Sequence, residues 1–120
     1  MIAVGEHLLG PLEDREIRMS TGFAGGIGGT YKDHCGAFSA GIMVIGGLFG
    51  RTSSDVNDQV CQALAAEYRD RFKIQFKTLI CGELREEKYG SQGAEPCSTL
   101  VERASRILLE VIRDYEGGNL

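Results

Sequence analysis

Residues 35–49 read CGAFSAGIMVIGGLF, and from Ala37 to Phe49 the run carries no charge. Thirteen apolar and small residues fall short of the roughly 20 that span a bilayer, so the stretch predicts a buried core helix. Small residues recur four apart at Gly36/Ala40, Ala37/Gly41 and Gly46/Gly50, which would let a neighbouring helix come close. This is the expected central helix, around which the rest of the chain must fold.

Immediately upstream, residues 22–29 read GFAGGIGG. Each glycine costs about 1 kcal/mol against alanine inside a helix, so the stretch predicts a tight, close-packed loop before the central helix. Downstream, Thr52, Ser53, Ser54 and Asp55 offer N-caps to a long amphipathic helix marked by Val56, Val60, Leu64, Tyr68 and Phe72. Residues 72–77 alternate with period two, but no second strand exists to pair with them, and an extended connector is expected. A polar loop follows over residues 88–95. The last helix begins around Pro96, with Leu100, Val101, Ala104, Ile107, Leu108, Val111, Ile112 and Tyr115 as its apolar face. Towards the N-terminus, residues 1–9 read as the end of a helix without its capped beginning, so further sequence upstream of Met1 is expected. Gly10 stops that helix, and Pro11 suits the first turn of a short second one. The sum is an all-α, single-domain bundle of about five helices over residues 1–120.

Composition narrows the function. The chain has 13 Lys and Arg against 17 Asp and Glu, a net charge of −4, with the basic residues scattered. Nucleic acid and anionic membrane surfaces need a concentrated positive patch, so neither is expected as a partner. The opening residues show no export signal, which points to the cytoplasm. Self-association is compatible with the sequence, and no redox partner or cofactor is named by it.

The glycine loop does not read as a nucleotide site. No strand is predicted before it, Tyr31 stands where the third glycine of a Gly-x-Gly-x-x-Gly motif belongs, and Lys32 lacks the phosphate-loop context. Chemistry is instead expected at the cysteines, which stand at 35, 61, 81 and 97 without any Cys-x-x-Cys pair. Cys35 lies between the glycine loop and the first turn of the central helix, where free N–H groups and the helix dipole favour a thiolate and lower its pKa. Its small neighbours Gly36 and Ala37 should leave the sulfur accessible. Cys97 opens the last helix on the side of Val101, Ala104 and Leu108, so its side chain should point inward. Cys81 ends the apolar triplet Leu79-Ile80-Cys81 and could converge with the other two. Cys61 lies mid-helix beside Val60, where packing is its expected role. His34 reads as a capping or surface residue, with proton relay or second ligand as the alternative; His7 reads as partly exposed.

With these residues in view, the chain resembles the redox-active family named for its Cys-Gly-Ala-x-x-Gly signature, C_GCAxxG_C_C. The resemblance rests on GFAGGIGG, on CGAFSAG with Ala40 in the usual glycine place, on IMVIGGLFGR, on Cys81-Gly82-Glu83-Leu84 and on the Cys97-x-x-Leu100-Val101 helix start. It implies a helical protein with four characteristic cysteines. Three match by position, Cys35, Cys81 and Cys97; the fourth belongs to the first helix, upstream of Met1, and Cys61 is not its equivalent. A thiol-based redox or electron-transfer protein is the leading expectation, with Cys35, Cys81 and Cys97 as the reactive residues. A metal or iron–sulfur site on the same thiols, and a structural or interaction domain without catalysis, are the alternatives. A common site requires at least two of the three Cα atoms within about 7 Å, or within the wider span of a shared metal.

Overall fold

The computed structural model describes residues 2–89 and 95–118. Six α-helices follow one another: α1 Ile2–Leu9, α2 Asp14–Ser20, α3 Gly36–Phe49, α4 Gln59–Phe76, α5 Cys81–Glu87 and α6 Cys97–Glu116, with a single 3-10 turn at Thr21–Phe23. Among the described residues there is no strand, only two isolated bridges. The all-α class is as expected, with one short helix, α5, beyond the five predicted.

Helices α3, α4 and α6 form the body of the bundle, and α1 lies across α3. The α6 stripe buries Leu100, Ala104, Ile107, Leu108, Val111 and Ile112. Val101 does not join them and is 46% exposed, because it sits one residue, about 100°, round from Leu100 at the edge of the stripe. On α4 the buried residues are Leu64, Tyr68, Phe72 and Phe76, four apart. The rings of Tyr68, Phe72 and Phe76 form a continuous aromatic ladder with Phe38 and Tyr89: Phe38 stacks on Tyr68 at 5.5 Å and meets Phe72 at 5.3 Å, Phe72 meets Phe76 at 4.5 Å, and Phe76 meets Tyr89 at 5.8 Å.

This ladder explains why residues 72–76 are helical and not an extended connector. Phe72 and Phe76 are one helical turn apart and both buried, while Ile74 between them is 80% exposed. The period of two was therefore accidental, and the period of four decides. The helix stops at Lys77 in a left-handed conformation, φ 70°, with its N–H donating to the Lys73 carbonyl at 2.7 Å.

Two helix starts also shift. Helix α4 begins after Asp58 and not after residues 52–55. The Arg51 guanidinium donates to the Ser54 and Val56 carbonyls at 3.2 and 2.7 Å and pairs with Asp58 at 3.4 Å, holding residues 51–58 as a loop. Helix α2 begins at Asp14, past Pro11; Glu13 precedes it, and its N–H donates to the Glu16 carboxylate at 3.2 Å. The small residues of α3 serve different neighbours. Gly41 lies under the Tyr68 ring, Gly47 under Leu9 of α1, and Gly46 faces open space. No helix among the described residues is long and apolar enough to cross a membrane. Most of the polar loop expected over residues 88–95 lies outside the described residues.

Candidate functional site

The glycine loop is a left-handed turn. Five consecutive residues from Gly25 to Gly29 have φ between 60 and 74°, and four of them are glycine. A left-handed residue with a Cβ costs about 1–2 kcal/mol, so such a run needs glycine at most of its positions. Its hydrogen bonds close over long spans: the Gly28 N–H donates to the Gly22 carbonyl at 2.8 Å and the Tyr31 N–H to the Gly25 carbonyl at 3.0 Å. The tightest position is buried Gly26. A Cβ there would stand 2.5 Å from the Cys81 Cβ and 2.9 Å from the Asp33 carbonyl oxygen. The loop is thus the surface on which Cys81 rests.

The segment leaving the loop pairs with the segment entering α5. The Cys35 N–H donates to the Leu79 carbonyl at 2.7 Å, and the Cys81 N–H donates to the Asp33 carbonyl at 2.9 Å. His34 therefore opposes Ile80 in an antiparallel bridge. Residues 33, 35, 79 and 81 share one side of this bridge, with Cys35 and Leu79 buried, and exposed His34 stands on the other. Cys35 and Cys81 occupy diagonal positions of the pair, which in antiparallel geometry separates Cα atoms by about 7–8 Å. Two cysteines 46 positions apart in sequence are joined by four residues of backbone pairing.

Cys35 departs from its expectation. It caps α3, but its side chain is buried and not accessible, at 8% exposure. Its pKa is raised and not lowered. Burial is the larger effect, and the neighbouring Cys81 and Cys97 charges add to it. The Phe38 and Ala37 N–H groups oppose it and favour the thiolate, but together they do not outweigh burial. Cys81 is half-buried. Its thiol pKa is raised too: burial is the largest effect, the Arg85 guanidinium one turn along α5 offsets part of it, and Cys97 adds to it. Cys97 is exposed and does not point inward. It lies one turn before Val101, on the same outer edge of α6. Cys81 and Cys97 both weigh on Cys35, and the three thiols differ sharply in access: Cys35 buried, Cys81 intermediate, Cys97 open.

Cys61 packs against the core from α4 and has no part in this cluster. His34 sets its ring edge-on to Phe38 at 5.6 Å. Among the described residues no three His, Cys, Asp or Glu side chains gather closely enough to hold a metal ion. Three residues that sequence reasoning passed over belong to the site. Tyr68 of α4 is fully buried, and burial, with the Cys35 charge adding to it, raises its pKa well above the ordinary phenol value. Arg85 lies over the Tyr31 ring at 4.3 Å, and the Tyr31 carbonyl receives the Gly82 N–H at 2.7 Å. The signal for Arg85 was its i+4 spacing from Cys81, legible only once α5 is known to be a helix.

No curated protein and no solved structure matches this chain. The profile of the family described as "putative redox-active protein (C_GCAxxG_C_C)" matches residues 1–111, which includes the glycine loop, the paired segments and all three clustered cysteines. The match spans nearly the whole chain, and the protein belongs to the C_GCAxxG_C_C family.

Proposed function

We propose that the chain is a thiol–disulfide redox protein whose working residues are Cys35, Cys81 and Cys97. The pairing of residues 33–35 with residues 79–81 carries this reading, because it sets two cysteines from distant parts of the chain on one side of the same bridge. The glycine loop seats Cys81 closely, since Gly26 leaves no room for a Cβ between the loop backbone and the Cys81 side chain. Graded access supplies the division of labour. Cys81 and Cys97 meet external reagents, and buried Cys35, kept as a neutral thiol by its surroundings, stands behind Cys81. The cytoplasm suits this cycle, since thiols there are kept reduced and disulfides are transient.

The test is peptide mapping by mass spectrometry after mild diamide oxidation of the reduced protein. An intramolecular disulfide joining two of Cys35, Cys81 and Cys97 is expected, with Cys61 left free. Oxidation that leaves the three unlinked, or that captures Cys61 as readily, overturns the reading.

A further inference from the structure

Beside Cys81 opens a cleft of about 370 Å3 lined by Tyr31, Gly82, Arg85, Glu86 and Tyr89. Its size falls at the small end of ligand sites. Cys81 directly precedes the lining residue Gly82, and Arg85 lies one turn along α5 from it, near enough for its charge to act on the thiol.

Two features give the cleft its chemistry. The Arg85 guanidinium lies on the Tyr31 ring and makes no ion pair among the described residues. Stacking fixes its plane and leaves its N–H edges able to receive a carboxylate in bidentate fashion. Glu86 lines the same cleft and is likewise without an ion pair among the described residues. One wall therefore presents a cation and an anion side by side. The opposite charges do not suit a simple anion, which Glu86 would repel, nor a simple cation, which Arg85 would repel. They complement a zwitterion. The Tyr31 backbone is tied to α5 by the Gly82 N–H, and the Tyr89 ring is held by the Arg103 guanidinium, which donates to its hydroxyl at 2.9 Å.

We infer that this cleft binds the disulfide of a small amino-acid thiol, its α-carboxylate on Arg85 and its α-ammonium on Glu86, with the sulfur–sulfur bond presented to Cys81. The inference rests on the thiol–disulfide reading above and names its substrate class. In the step, the Cys81 thiolate attacks one ligand sulfur and forms a new sulfur–sulfur bond. The ligand's own disulfide breaks, its electron pair leaves on the second sulfur, and that thiolate takes a proton from water. Cys81 is oxidised to a mixed disulfide, and half of the ligand is reduced.

The test compares four disulfides at equal concentration: cystine, cystamine with only ammonium groups, 3,3′-dithiodipropionate with only carboxylates, and 2-hydroxyethyl disulfide with neither. Mixed-disulfide formation at Cys81 is followed by mass spectrometry, each rate divided by that of the same protein unfolded in urea to remove intrinsic reactivity. Cystine should lead 2-hydroxyethyl disulfide by about tenfold, the worth of a charge-assisted contact. Arg85→Gln should erase its lead over cystamine, and Glu86→Gln its lead over 3,3′-dithiodipropionate, while Arg85→Lys keeps part of it. Equal normalised rates for all four, with Cys81 still reactive, overturn the substrate class and leave the redox reading standing. If folded Cys81 reacts with none of them, both fall.

Discussion

The contact between Gly41 and Tyr68 makes a sharp prediction from one helix. A Cβ at position 41 would stand 2.4 Å from Cε2 of Tyr68 and 2.7 Å from its Cζ and Oη, where ordinary contact is about 3.5–4.0 Å. The ring must therefore retreat by about 1 Å. It has little room to do so, being fully buried, stacked on Phe38 with an interplanar angle of 22° and edge-on to Phe72 at 6.1 Å. Overpacking of this kind costs about 3 kcal/mol at the upper end of its usual range. Alanine returns about 1 kcal/mol through helix propensity. Gly41→Ala should thus destabilise by about 2 kcal/mol, a fall of about 8 °C in Tm for a domain of this size. The control lies one turn and a residue further along α3. Gly46 is exposed and a Cβ there meets nothing within 4 Å, so Gly46→Ala should stabilise by up to about 1 kcal/mol. Urea denaturation of the two variants measures both, and the opposite signs are the point. If Gly41→Ala matches or exceeds the parent in stability, Tyr68 does not pack against α3 as described.

Other outcomes follow from the loop, the thiols and the helix interface. Gly26→Ala combines a left-handed backbone with the 2.5 Å approach to Cys81, so it should cost more than about 2 kcal/mol and change the iodoacetamide labelling rate of Cys81; Gly28→Ala, with open space around it, should cost only about 1–2 kcal/mol and leave that rate alone. Because the Cys35 pKa is raised on folding, its contribution to stability is complete below the unfolded thiol value of about 8.5 and is lost as pH rises from there through the folded value. Reduced protein should therefore weaken between neutral and alkaline pH, and Cys35→Ala should flatten that decline in denaturation midpoints measured across the range. Arg71 joins α4 to α6 by donating to Glu67 at 2.8 Å and Asp114 at 2.9 Å. Arg71→Met should cost about 1 kcal/mol in low salt and less in high salt, read from urea midpoints.

How much of this was legible in the sequence depended on whether one period ruled a segment. The α6 stripe was readable because its apolar residues follow one helical face for 20 residues, and the α3 run because it contains nothing that could be solvated. The end of α4 was not, because Phe72, Ile74 and Phe76 satisfy two periods at once and only packing against Phe38 and Tyr89 chooses between them. Helix α5 was hidden by its brevity. Seven residues cannot show a convincing period, and its start is fixed from outside, by Thr78 accepting the Ile80 N–H and by the backbone pairing to residues 33–35.

The candidate site shows the same division between what is local and what is not. The sequence placed Cys35 correctly at a helix N-terminus, and local reasoning from that position predicts a lowered pKa. The sign reverses because a second, non-local effect is larger. The backbone bridge ties Cys35 to Leu79, both join the core cluster with Phe38 and Tyr68, and the sulfur's loss of water outweighs what the Phe38 and Ala37 N–H groups return. A soft sulfur accepts hydrogen bonds weakly, so two loosely placed donors offset only part of that loss. The consequence runs through the chemistry. Burial raises the pKa of both thiols, but Cys81 is only half-buried and lies beside the Arg85 charge, whereas Cys35 is closed off from reagents. The difference between Cys81 and Cys35 is thus set by burial and by one arginine, neither of which the spacing of the cysteines records.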